Sequence, residues 1–310
     1  MAGSELPGLP VVRVICGPTG AGKSVAALRF AGRAPVSIIS ADSRQLYRGF
    51  DIGTAKPSAE ERAAVPHYGI DVLDPADRAS AAVWAEWADG WLRDALARER
   101  TPVVVGGTGL YLRALFEGIF AEPEMDAGQR SAIAAAMDDW PVDELRRWVA
   151  VLDPARAHLG RTQLLRALEV ALLTGRRVSD LHREQPRPPQ WRGRYLVVDP
   201  GPRLVGDIAA RTAYMLAAGW AAEVRHLLES VPAGAAAWNA TGYRAVVEVV
   251  QGRLSVHDAE QRVVIDTRQY AKRQRTWFRH QLAGKDVTRL DPRAPDFAAR
   301  ADAWWDGGPR

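Results

Sequence analysis

The chain has 310 residues, 47% hydrophobic and 25% charged. This composition excludes an intrinsically disordered protein, and the length suffices for a large α/β domain with an insertion. A net charge of +4 permits a polyanionic partner without demanding one, while a single cysteine, Cys16, excludes an internal disulfide. No apolar run approaches the ~20 residues that span a bilayer, so no membrane association is expected.

Residues 1–10 are polar and proline-rich and lack a charged-then-apolar leader, so the cytoplasm is the expected compartment. Val11–Cys16 is a short β-rich run that predicts a strand, with Cys16 buried in it, and residues 23–31 predict a helix. A second strand is expected over 35–40, a helix over 79–99 and a third strand over 102–105, which runs into Gly106-Gly107. Strands that alternate with helices imply a parallel sheet covered on both faces. From 119 to 189 the pattern becomes helical (129–137, 142–151 and 163–173) and closes with a Pro- and Arg-rich stretch, 185–189. Residues 195–198 then predict one more core strand, and the remainder reads as mostly helical. The expected architecture is therefore a P-loop NTPase-like parallel sheet core, 1–118 with 190–310, carrying an all-helical insertion domain at 119–189.

Gly17-Pro18-Thr19-Gly20-Ala21-Gly22-Lys23-Ser24 matches G-x-x-x-x-G-K-[ST] between a strand and a helix, the context this motif requires. The glycines let successive backbone N–H groups turn inward, and the helix N-terminus adds partial positive charge, so the loop binds phosphate. Lys23 supplies a point charge, and the Ser24 hydroxyl is placed to ligate Mg²⁺. A kinase or NTPase would add an apolar strand ending in an acid. Residues 103–105 end in Gly106-Gly107-Thr108 instead. Asp199 ends 195–198, but a Pro and a Gly follow it, and it reads as a strand-ending turn.

Asp42 follows the second strand, at the sheet edge where α/β proteins bind ligands. Position alone leaves open whether it acts chemically or caps the next helix. Beyond it come D-S-R-Q-L-Y (42–47), D-I-G-T-A-K-P (51–57), P-H-Y-G-I-D (66–71), V-G-G-T-G-L-Y (105–111), R-A-L-E (166–169), G-Y-R (242–244) and K-R-Q-R-T-W-F-R (272–279). In this order the motifs resemble the tRNA dimethylallyltransferases, and the resemblance runs from about residue 11 to 280.

That resemblance implies transfer of a dimethylallyl group from dimethylallyl diphosphate to N6 of adenine 37, beside the tRNA anticodon, with release of diphosphate. The P-loop would then hold a leaving group, and Mg²⁺ would be the cofactor. Asp42 would be the general base for the N6 amine, and Thr19 and Thr108 would orient the reacting groups, although Thr108 also fits a helix N-cap. Arg211 matches a diphosphate-contacting arginine; without the resemblance it would read as a solvated helix face. The tRNA contacts implied are Asp42, Ser43, Arg44, Gln45, Thr108, Arg130, Arg166, Asn239, Gly242, Tyr243, Arg244 and the run Lys272, Arg273, Gln274, Arg275, Thr276, Trp277, Phe278, Arg279. The chain departs from the family before Arg166, where 158–165 is shortened and Gln163 stands in place of the usual arginine; Arg161 is a candidate substitute.

Residues 261–282 carry six Lys or Arg and one acid, and Arg268, Lys272, Arg275 and Arg279 recur at spacings of four, three and four. On a helix they form one basic stripe suited to a phosphate backbone. A monomer is the expected state. The competing readings are a P-loop kinase or NTPase acting on a small molecule and a non-catalytic RNA-binding protein. Intact Lys23, Ser24, Asp42 and Thr108 argue against the second.

Overall fold

The computed structural model describes residues 8–118, 123, 125–184 and 188–307. The readings of residues 1–7 and of 185–187 in the Pro- and Arg-rich stretch lie outside the described residues. The chain divides into two compact units, Met1–Phe116 with Gln190–Arg310 and Glu117–Pro189.

In the first unit, β-branched runs become strands wherever both faces are covered. In chain order the elements are β1 (Val11–Cys16), α1 (Lys23–Ala31), β2 (Val36–Ser40), α2 (Ala59–Ala64), β3 (His67–Tyr68), α3 (Ala81–Ala97), β4 (Thr101–Gly106) and α4 (Gly109–Glu117). The second unit holds α5 (Ala127–Ala136), α6 (Val142–Leu152), α7 (Arg161–Thr174) and α8 (Val178–Glu184), and no strand among its described residues. Its core gathers Met137, Leu145, Val149, Leu164, Ala167 and Leu168. Back in the first unit come β5 (Arg192–Val198), α9 (Leu204–Ala217), α10 (Trp220–Ser230), α11 (Tyr243–Val250), α12 (Val256–Gln281), β6 (Val287–Leu290) and α13 (Phe297–Asp306).

The six strands form one sheet in the order β3-β2-β4-β1-β5-β6, and every pairing is parallel. The fold is thus the expected parallel α/β sheet. All strands point the same way, so the turns after β1, β2, β4 and β5 leave at a single edge, which is where a ligand site belongs. The sequence reading missed both edge strands. β3 has two residues, and β6 reads Val-Thr-Arg-Leu inside a region expected to be helical; short edge strands carry little hydrophobic pattern.

The helix that follows the P-loop is fastened from below. Phe30 of α1 stacks on Trp305 of α13 with centroids 4.3 Å apart, and the Arg13 guanidinium lies 4.4 Å from the Trp305 ring. Arg29 and Arg33 pair with Asp302 and Asp306. No helix among the described residues is long and apolar enough to cross a membrane.

Candidate active site

Three strand ends build one wall of a cleft. The P-loop follows β1, and α1 begins at Lys23 with Gly22 left-handed at φ 84° as its N-cap. Asp42 follows β2, and its Oδ1 accepts from the Arg44 N–H at 2.9 Å, which shapes the turn. Thr108 follows β4; its N–H donates to the Ala41 carbonyl at 3.1 Å, and its Oγ1 accepts from the Ser43 N–H at 3.1 Å. Sitting just before α4, Thr108 accepts on its hydroxyl from the Asp42 turn and so locks that turn to the β4 turn.

Two chambers open on this wall: one of about 330 Å3 between it and residues 54–70, and one of about 70 Å3 between it and helices α9, α10 and α12. Thr19, Asp42, Thr54 and Arg211 line both, so the chambers meet at these side chains. Lys23, Ser24, Lys56 and His67 line the larger one, while Ile208, Met215, Trp220, Val263 and Tyr270 line the smaller. The expected clustering of Thr19, Lys23, Ser24, Asp42 and Arg211 is therefore present in the fold.

The charges in the cleft act on one another. Burial pushes the Lys23 ammonium down to about 8, Asp42 pulls it back up and Arg211 adds to the depression. Lys23 Nζ donates to the Pro18 carbonyl at 2.8 Å. Burial likewise lowers the Arg211 guanidinium, against the opposing pull of Asp42. Arg211 Nη1 lies 3.4 Å from Thr19 Oγ1, so it is a cleft residue and not the solvated face its sequence context suggested. Burial first, then Asp42, raises the Tyr270 phenol to about 12, which keeps it protonated.

The loop 51–57 is framed from two sides. Gln45 Nε2 donates to the Thr54 and Ala55 carbonyls at 3.3 and 3.0 Å. The Glu223 carboxylate accepts from the Asp51 and Ile52 N–H groups at 3.0 and 2.6 Å and from the Tyr243 hydroxyl at 2.7 Å. Lys56, its side chain 1% exposed, pairs with Asp51 and Asp71. Nothing in the sequence reading found Glu223, since a glutamate on an amphipathic helix reads as solvated.

The basic helix divides its residues between two tasks. Lys272, Arg273, Thr276 and Arg279 are exposed. Arg275 is not part of that outer stripe: it pairs with Asp199 (Nε to Oδ2 2.9 Å) and donates to the Gly201 carbonyl. The same pair, with the Gly201 N–H donating to Asp199 Oδ1 at 2.9 Å, makes Asp199 a turn-closing acid, not a metal-holding one. Phe278 and Tyr243 are at most 1% exposed and Gln274 is 6% exposed, so these three side chains are internal and not surface contacts. The Trp277 ring covers Gly109, where any Cβ would overlap it. Gly242 lies buried against Trp220, whereas exposed Arg244 donates to exposed Asn239 at 2.7 Å.

In the second unit, the acid of the R-A-L-E run is buried and pairs with two of the expected contacts: Arg166 at 2.9 Å and Arg130 at 3.1 Å. Arg161 donates to the carbonyls of Met137, Asp138 and Trp140, which ends α5 and leaves it unsuited to replace the missing arginine.

Against this geometry, the profile described as IPP transferase matches residues 45–281, and that of isopentenyl transferase matches 10–68. A tRNA dimethylallyltransferase of Deinococcus radiodurans is 39% identical over 290 residues, covering 91% of this chain and 94% of the relative. The chain belongs to the tRNA dimethylallyltransferase family. Another such relative, from Thermus thermophilus, is 39% identical, covering 88% of this chain and 91% of its own. Among solved structures, the tRNA isopentenylpyrophosphate transferase of Bacillus halodurans superimposes with a TM-score of 0.67 at 30% identity, covering 95% of this chain and 94% of its own. A eukaryotic dimethylallyltransferase, 24% identical, shares the fold with a TM-score of 0.78, over 97% of this chain and 80% of its own.

Ser24 is exposed and lines the larger chamber, and no group of three or more His, Cys, Asp or Glu among the described residues could hold a metal. One hydroxyl is a donor that fits an ion such as Mg²⁺, which keeps several waters and needs few protein ligands.

Proposed function

We propose that this dimethylallyltransferase moves the dimethylallyl group of dimethylallyl diphosphate onto N6 of adenine 37 in tRNA. The observation that carries this reading is the junction of the two chambers, where the P-loop, Asp42 and Arg211 converge on one point. The allylic C–O bond breaks and its electron pair leaves with the diphosphate. The P-loop at the α1 N-terminus, Lys23 and Arg211 would stabilise that growing negative charge, and Thr19 Oγ1 lies 3.4 Å from Arg211. The exocyclic amine forms the new C–N bond and gives a proton to the Asp42 carboxylate. Thr108 steadies the Asp42 turn. Ser24 would hold Mg²⁺, which when bound supplies further charge neutralisation at the diphosphate.

The target base must leave its stack to reach such a cleft, and Arg44 and Tyr270 line the smaller chamber beside Asp42. Lys272, Arg273 and Arg279 on the exposed face of α12 suit the RNA backbone. A monomer in the cytoplasm completes the proposal. The pairing of Asp199 with Arg275 disfavours the kinase or NTPase reading, which needed that acid for a metal.

The test is incubation with labelled dimethylallyl diphosphate, Mg²⁺ and tRNA, with ATP hydrolysis followed alongside. Label should reach tRNA, and Asp42→Ala should slow transfer by about 10²–10⁴-fold while leaving tRNA affinity nearly unchanged. ATP turnover without prenyl transfer would overturn the reading.

A further inference from the structure

The residue that ties the cleft together comes from neither the P-loop nor the strand ends. Gln274 lies on α12 and is 6% exposed, flanked in sequence by exposed Arg273 and half-buried Arg275. Its Oε1 accepts from the Thr19 N–H at 2.8 Å, and its Nε2 donates to the Gly107 carbonyl at 2.9 Å. Both partners are backbone atoms, one in the P-loop and one in the residue preceding Thr108. Thr108 in turn binds Ala41 and Ser43 on either side of Asp42. One neutral amide therefore joins the phosphate cradle to the turn that carries the base.

We infer that Gln274 is a positioning residue that fixes the P-loop relative to the Asp42–Thr108 turns during prenyl transfer. The inference rests on the functional reading above. A primary amide suits this place because it offers an acceptor and a donor at once, which neither a carboxylate nor an apolar side chain does. The fit is close: a Cβ at Gly107 would overlap Gln274 Nε2, so the second glycine of V-G-G-T makes room for the amide. Misplacement of reacting groups by ~1 Å can cost about 10²-fold in rate. The bridge holds the leaving-group side and the amine side together, so its loss acts on the transfer step more than on either substrate's binding.

The experiment uses the full chain with Gln274→Met and Gln274→Glu. Single-turnover transfer at saturating tRNA and dimethylallyl diphosphate is measured beside the Kd of each substrate. Gln274→Met should lose roughly 10²-fold in the transfer rate, with both Kd values within about threefold of the parent. Gln274→Glu should behave alike at pH 8.5. Its rate relative to the parent should climb as pH falls to 6, because a protonated carboxyl regains a C=O acceptor and an O–H donor, and burial raises a carboxyl's pKa. The relative rate of Gln274→Met should stay flat. Unchanged transfer by Gln274→Met, a loss confined to tRNA affinity, or a flat relative profile for Gln274→Glu would each overturn the inference. If Gln274→Met does not fold, the pH profile of Gln274→Glu decides. A parent that transfers no prenyl group would instead sink the functional reading itself.

Discussion

The two walls of the cleft are made by different means. On the strand side, the P-loop, Asp42 and Thr108 follow directly from β1, β2 and β4, and parallel pairing delivers them to one edge. On the helix side, Arg211 and Trp220 line the chambers while Glu223, Gln274 and Trp277 brace the segments around them, each by a side chain from α9, α10 or α12. The first wall is set by backbone register and the second by individual contacts. Single substitutions should therefore damage the helix side, Arg211 apart, by loosening it and the strand side by removing chemistry.

The largest expected effect that sharpens this contrast is at Glu223. Glu223→Ala leaves the part-buried Ile52 N–H and Tyr243 hydroxyl without their acceptor, while the exposed Asp51 N–H turns to water. Each buried group left unpaired costs about 1–3 kcal/mol, so denaturant unfolding should show a loss of roughly 2–4 kcal/mol. A change below about 0.5 kcal/mol would mean that the helix wall is not held this way.

The strand wall is probed by pH through Lys23, whose ammonium titrates at about 8 in the fold against 10.5 ordinarily. Between those values the unfolded chain holds a proton that the folded one lacks, so this group's contribution makes stability rise with pH across that window. Diphosphate binding runs the other way, because it needs the ammonium. Affinity for dimethylallyl diphosphate, measured by calorimetry, should weaken up to tenfold per pH unit above about 8, and Lys23→Met should be flat there. A pH-independent parent would remove Lys23 from the phosphate site.

The smallest effect separates the two faces of α12. Arg279→Ala and Arg273→Ala should each reduce the salt slope of tRNA binding by about 1, as loss of a phosphate contact does. Arg275→Ala should leave the slope unchanged and lower Tm instead, since its guanidinium serves Asp199 and Gly201. Equal slopes for Arg275→Ala and Arg279→Ala would erase the distinction.

How much of this was legible in the sequence follows from the same contrast. The P-loop, Asp42 and Thr108 could be read because local motif and strand order fix them. The basic spacing on α12 drew attention to charge, although Val263, Ala271, Gln274 and Phe278 also recur at helical intervals and mark the inward stripe. That apolar line was the available sign that Gln274 and Phe278 face the core and that Arg275 lies at its border. Glu223 gave no such sign, because its meaning depends on a loop 171 positions away. For the same reason β6 was invisible: an edge strand of four residues takes its structure from β5, not from its own pattern.

The clasp of α13 on α1 bears on how the molecule is made. Arg29 and Asp302 are 273 positions apart, and Phe30 beside the first waits for Trp305 beyond the second. At ribosomal speeds of about 5–20 residues per second, that wait is roughly 14–55 s. Throughout it, the helix that will present Lys23 lacks the indole that stacks on its Phe30 in the finished fold. The P-loop is made early and seated late.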